Sequence, residues 1–270
     1  MNNKGHFWKK HWVDILVISL VAILLALLCY IIYEKFHFAK KINIFYNYFI
    51  VNRGYNRLLL GMKNTAIIAI LGLLIGTVIG TLIAVIKVIP PTKKLTRYAQ
   101  NTASIYVAFF RGTPIVVQLL VGYFILFPLL SLKISPVAAC VTIFGLNSGA
   151  YISEIMRSGI QSVDAGQLEA ARAVGMPYSV SMLKVVVPQA IKNILPTLGN
   201  EFIALVKETA VVGYVGAIDI TNSFQYQGAN SYEYMIPYLV MALLYIVIVA
   251  VIAWGVKLME RKLGKSERRK

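Results

Sequence analysis

The chain has 270 residues, 58% of them hydrophobic, with a mean hydropathy of +0.70 and a formal net charge of +16. Long apolar runs rather than one amphipathic core produce that hydropathy, which excludes a soluble globular domain and makes the chain an all-α integral membrane protein. The cations flank the apolar runs and crowd the tail from Lys257 to Lys270, so topology and anionic membrane lipid account for the charge, not nucleic acid.

Six apolar runs read as spans, at about 12–33, 64–88, 102–130, 136–157, 195–217 and 235–257. Each is near the roughly 20 residues that cross the hydrocarbon. The first follows Lys9, Lys10 and His11. Its apolar stretch is long for a signal peptide and no small-x-small cleavage site follows, so it reads as a retained anchor. With the N-terminus cytoplasmic, residues 1–11, the loop holding Lys93, Lys94 and Arg97, the 158–194 loop and the tail share that side. The 218–234 loop, with Asp219 and Glu233 but no Lys or Arg, then faces out, as the positive-inside rule requires. One segment breaks the rule. Residues 34–63 fall outside yet carry Lys35, Lys40, Lys41, Arg53, Arg57 and Lys63.

In the second span Gly72, Gly76 and Gly80 recur every four residues, a small-residue stripe that lets helices approach closely. The third run holds Arg111-Gly112-Thr113-Pro114. Proline and glycine there predict a kink or break, which frees backbone groups for a ligand. An intramembrane guanidinium faces either a cavity or a carboxylate partner. Gln118, one turn on, extends the polar track. The fourth span carries Asn147, Ser148, Glu154 and Arg157, the last two spaced for an intrahelical ion pair.

The loop at 164–188 reads DAGQLEAARAVGMPYSVSMLKVVVP. Residues 166–174 predict a short helix with Asp164 as N-cap, and Gly175 and Pro177 follow its end. Glu169 and Arg172 are three apart and share a face, so they can pair. An ordered polar elbow between two spans offers a grip to a soluble partner.

In the fifth span Glu201 and Glu208 are seven apart and face one side, while Lys207 points elsewhere. Two carboxylates on one face of a span suit an ammonium or guanidinium ligand, or else pair internally with Arg111 or Lys207. Asn200 and Thr209 add neutral hydrogen-bonding groups. Cys29 and Cys140 sit in apolar runs, and His6, His11 and His37 have no metal-ligand spacing. No nucleophile motif, Walker loop or dinucleotide fingerprint is present, so the chain reads as no enzyme and its energy as coming from a partner or a gradient.

Several separated motifs resemble one family. Glu169-Ala170-Ala171, Gly175 and Val185-x-Val187-Pro188 resemble the EAA loop of ABC-importer permeases. RGTPIVVQLL at 111–120, AYISEIMRSGIQSVDAGQLEAARAVGM at 150–176 and PQAIKNILPTLGNEFIALVKETAVVGYVG at 188–216 resemble permeases of the polar amino-acid class. The resemblance implies a type I importer core of five helices, here with an extra N-terminal helix. It divides the chain into an anchor at 1–34, a connection at 35–60, a permease domain at 61–258 with its coupling loop at 164–188, and a basic tail at 259–270. Implied partners are a cytoplasmic ATPase dimer, a second permease subunit, identical or not, an extracytoplasmic binding protein and an amino acid that is cationic or an amide. ATP and Mg would be used by the ATPase, with no cofactor bound here. The location would be a bacterial cytoplasmic membrane, with both termini cytoplasmic. Carried over by motif, Gln167, Glu169, Ala170, Ala171 and Gly175 would contact the ATPase, and Arg111, Gly112, Thr113, Gln118, Glu201 and Glu208 would line the substrate site. The chain departs from many relatives in having Glu208-Thr209-Ala210 in place of Asp-Thr-Ser.

Three other readings remain at this stage. One is an ABC permease for another small polar solute. Another is an ion-coupled carrier using Glu201 and Glu208 as proton sites, against which the lack of a second, related sequence half argues. The last is a membrane scaffold or sensor.

Overall fold

The computed structural model describes residues 4–35 and 37–265, so residues 266–270 of the expected tail lie outside the described residues. The helices are α1 Lys4–Lys35, α2 Phe38–Tyr46, α3 Tyr55–Val88, α4 Lys94–Gly112 and α5 Ile115–Leu129. They continue as α6 Pro136–Gln161, α7 Ala165–Ala173, α8 Val187–Glu208, α9 Ile220–Ser231 and α10 Met235–Lys265. No strand occurs among the described residues. The six expected spans fall on α1, α3, the α4–α5 pair, α6, α8 and α10.

The third expected span takes the break that Gly112 and Pro114 predict, with α4 and α5 meeting at 105° across it, and the bounds of the fifth are corrected. Pro114 supplies no N–H and forces the residue before it out of the helical region, and Thr113 is extended at φ −123°. The helix of the fifth starts well before 195: Tyr178–Ser181 runs through a π-helical turn, Met182–Val186, into Val187–Glu208, where the α-helix stops. Residues 209–215 tighten into a 3-10 helix that ends at Gly216, where φ is +82°. A left-handed residue of this kind stops a helix with little strain only when it is glycine.

The core is built on α3 and α6. A Cβ on Gly76 would lie 2.8 Å from Ser148 Cβ, and one on Gly80 would lie 2.8 Å from Ile152 Cβ. The fit is reciprocal: Gly145 and Gly149 of α6 receive Ile75 and Ile79 of α3. The stripe of small residues therefore packs helices, as its spacing predicts. Ile68, Leu119, Phe144, Leu205 and Val212 gather α3, α5, α6, α8 and the 3-10 turn into one apolar cluster. By contrast, the apolar stretch Ile15–Ile31 of α1 is exposed along its length.

The bundle has two unlike ends. At one, Asn193 Nδ2 donates to Ser162 Oγ at 2.9 Å across the base of the 164–188 loop, and Tyr178 within the loop reaches the Val88 carbonyl. At the other, Lys41 pairs with Glu233 at 3.0 Å, and Arg57 donates to Asn222 Oδ1 at 2.8 Å and lies 4.1 Å over the Tyr226 ring. The basic 34–63 segment thus sits with the 218–234 loop, opposite the 164–188 loop. Its departure from the charge rule has a local reason: Lys41 and Arg57 are engaged by that loop.

Candidate functional site

The break between α4 and α5 strands backbone carbonyls inside the bundle, where each needs a donor. Gln118 supplies it. Its Nε2 lies 2.8 Å from the Phe110 carbonyl, 3.0 Å from that of Thr113 and 2.8 Å from Thr113 Oγ1. Asn147 Nδ2 of α6 in turn donates to Gln118 Oε1 at 3.0 Å and to the Phe110 carbonyl at 3.3 Å. Gln118 and Asn147 are both buried. The amide expected to extend an open polar track is turned instead onto the broken backbone.

One residue along α6, Ser148 Oγ donates to Glu201 Oε1 at 2.8 Å. One turn along, the Tyr151 ring lies 5.5 Å from the Arg111 guanidinium. Residues 147–151 of α6 therefore bring together the 111–118 break and the fifth-span acid. Arg111 is exposed and pairs with neither Glu201 nor Glu208, so the internal ion pair weighed for it is absent among the described residues. Gly112 is exposed with open space around it, while Thr113, Glu201 and Glu208 are half-buried. Glu208 lies seven residues beyond Glu201 on the same face of α8, about 10 Å further along.

The Glu201–Ser148 contact was not legible from spacing. The polar run Asn147-Ser148-Gly149 in an otherwise apolar span was its only signal. The Glu154–Arg157 pair forms as expected, at 2.8 Å, and gains an unforeseen third member, Lys87 of α3, at 2.5 Å from Glu154.

The short helix α7 is capped as its sequence predicts. Asp164 Oδ1 accepts from the Gly166 N–H at 2.7 Å. Gly175, at φ +87°, lets its own N–H reach the Arg172 carbonyl and that of Met176 reach Ala171. Ala171 is buried, while Glu169, Ala170 and Val174 face outward. Gln167 accepts from Gln189 at 3.2 Å, which fixes α7 against the start of α8. Among the described residues Glu169 and Arg172, which could pair, do not: Arg172 turns toward the Met176 carbonyl at the helix end, where a cation meets the negative end of the dipole. Glu169 is left pointing outward.

Residues 76–265 match the family described as "Binding-protein-dependent transport system inner membrane component". The chain belongs to that family. It is 39% identical over 195 residues to the "Putative glutamine transport system permease protein GlnP" of Rickettsia typhi, covering 72% of this chain and 87% of that protein. It is 38% identical over 207 residues to the "Arginine transport system permease protein ArtQ" of Bacillus subtilis, covering 77% and 92%. A solved amino-acid ABC transporter, crystallised with histidines, contains a chain that superposes with a TM-score of 0.72 at 37% identity, covering 78% of this permease and 96% of that chain. The fold is that of a type I importer permease, and the protein is a multi-pass transport component rather than an enzyme.

Proposed function

We propose that this permease forms the membrane pathway of an ATP-driven importer for a cationic or amide amino acid. One observation carries the reading: Glu201 is held by Ser148 on the stretch of α6 that also supports the Arg111–Pro114 break. The carboxylate is half-buried and no cation is paired with it among the described residues, so it suits the ammonium of an amino acid or the cation or amide of its side chain. Glu208 extends the acidic face. Arg111 and the open backbone at Gly112 and Thr113 offer a cation and hydrogen-bonding groups to the α-carboxylate. Gln118 acts by keeping the break in shape. The names of the relatives, glutamine and arginine transport permeases, agree with this chemistry.

The outward face of α7 is the handle for a cytoplasmic ATPase dimer that uses ATP and Mg. Gln167 and Ala171 seat the helix, Glu169 and Ala170 meet the ATPase, and Gly175 closes the turn. Pulling α7 moves α8 through the Gln167–Gln189 contact, and with it Glu201. That mechanical link makes alternating access at the acid depend on the ATPase. A second permease subunit and an extracytoplasmic binding protein complete the importer, with both termini of this chain in the cytoplasm of a bacterium.

The experiment is uptake by proteoliposomes holding the permease co-purified with its ATPase and binding protein. Arginine, lysine, glutamine and acidic amino acids are compared with and without ATP. ATP-dependent uptake of a basic or amide amino acid is expected. Uptake that ignores ATP and collapses with a protonophore would overturn the proposal in favour of an ion-coupled carrier.

A further inference from the structure

The end of α3 nearest the α7 loop lacks donors of its own. The Ile86 carbonyl would ordinarily accept from the N–H four residues on, and that residue is Pro90; Lys87 meets the same obstacle in Pro91. A residue of α4 makes good the loss. Gln100 Nε2 donates to the Ile86 carbonyl at 3.1 Å and to that of Ile89 at 2.8 Å. Between them, Lys87 Nζ reaches across to α6 and pairs with Glu154 Oε1 at 2.5 Å. The other oxygen of Glu154 is taken by Arg157, through Nε at 2.9 Å and a terminal nitrogen at 2.8 Å. The remaining terminal nitrogen of Arg157 donates to Gln161, the last residue of α6, at 2.6 Å. Asp164, the cap of α7, follows at once. Beyond α7, the Tyr178 hydroxyl comes within 3.5 Å of the Val88 carbonyl. The chain therefore approaches and leaves α7 against one turn of α3, residues 86–89, and α4 grips the same turn.

Cohesion does not explain this network. α3 and α6 are already closed by Gly76, Gly80, Gly145 and Gly149, and a sheltered ion pair adds little net stability, because desolvation offsets its attraction. What the network fixes is position. Both oxygens of Glu154 are used, one by α3 and one by the next turn of α6, so the two helix ends have one relative placement. α4 carries that placement away. From Gln100 it runs as continuous helix to Gly112 at the break, about 18 Å further on.

We propose that residues 86–89 form a junction through which movement of α7 reaches the α4–α5 break, with Lys87 and Gln100 as its positioning residues. This rests on reading α7 as the ATPase handle. The Gln167–Gln189 contact moves α8 and its acid, while the junction moves α4 and with it Arg111, Gly112 and Thr113. One pull then drives both walls of the site together, and without the junction ATP hydrolysis shifts only one of them.

The complete importer in proteoliposomes, permease with ATPase and binding protein, is assayed for ATP hydrolysed per amino acid taken up. Lys87→Met and Gln100→Leu are each expected to raise that ratio about tenfold, the scale of effect for residues along a transmission route, with uptake lost and hydrolysis kept. Lys87→Arg retains the cation and should restore the ratio. A second readout follows the break itself. In chains lacking Cys29 and Cys140, an environment-sensitive fluorophore is placed by Phe109→Cys, an exposed position of α4 one turn before the break. Its emission should change when ATP is added, and Gln100→Leu should abolish the change. Gln100→Leu removes only a helix cap, so it decides the matter if Lys87→Met fails to assemble. An unchanged ratio in Gln100→Leu, or uptake and hydrolysis falling in parallel, would overturn the junction and leave the α7 reading in place. Wild-type uptake that ignores ATP would instead overturn that reading, and the junction with it.

Discussion

Ser148 Oγ donates to Glu201 Oε1 at 2.8 Å, joining α6 to α8 beside the break in the third span. A neutral hydroxyl orients the carboxylate without cancelling its charge, leaving an oriented acid able to receive a cationic group.

That arrangement sets different costs for its two members. Glu201→Gln should lower kcat/KM for a basic amino acid by about 100-fold, since a hydrogen bond to a charged group is worth roughly 1.5–3 kcal/mol and an ionic attraction is lost besides. Ser148→Ala should cost about 10-fold, with the acid present but less well oriented. Both are read from initial uptake rates in proteoliposomes. Equal losses in the two variants would mean that the serine serves packing against Gly76 rather than the acid.

The amide pair at the break predicts a loss of stability. Gln118→Ala removes the donor to the Phe110 and Thr113 carbonyls and leaves Asn147 without its acceptor. Unsatisfied buried groups cost about 1–3 kcal/mol each, so the melting temperature in detergent should fall clearly. Gln118→Glu keeps the shape but loses the donor, and it should not rescue. A Gln118→Ala protein that melts like the wild type would show that water or lipid satisfies the break.

Helix contact through glycine can be tested by adding single carbons. Gly76→Ala and Gly80→Ala each force a Cβ to within 2.8 Å of the facing helix and should destabilise by about 1–3 kcal/mol. Gly255→Ala in α10 meets nothing within 4 Å and serves as the control. Thermal unfolding followed by circular dichroism compares the three, and a control that falls as far as the others would remove the packing explanation.

The proposed coupling helix, α7, separates structure from contact. Asp164→Ala deletes the cap bond to Gly166 and should loosen α7 by about 1 kcal/mol. Glu169→Lys should leave the fold intact because that side chain is exposed and has no partner among the described residues, yet it should abolish co-purification of the ATPase. Normal ATPase recovery with Glu169→Lys would move the docking contact elsewhere on the loop.

Some of this architecture could be read without any structure. The capped helix of residues 165–173, its stop at Gly175, the break at Pro114 and the packing stripe of Gly72, Gly76 and Gly80 all rest on interactions within a few residues or on a missing side chain, so composition and spacing determined them. The course of the third span, the early start of α8 and the partners of the charged and amide groups did not follow from spacing. Glu201 finds Ser148 across 53 positions, Lys87 finds Glu154 across 67, and Arg57 reaches Asn222 across 165. Such pairs exist only once the close approach of α3 and α6 has set the depth and rotation of every other helix. The sequence supplied polar groups that a bilayer obliges to find partners, and tertiary packing chose which: Gln118 for the broken backbone, Arg57 for the 218–234 loop, and Ser148 for the acid at the centre of the proposed path.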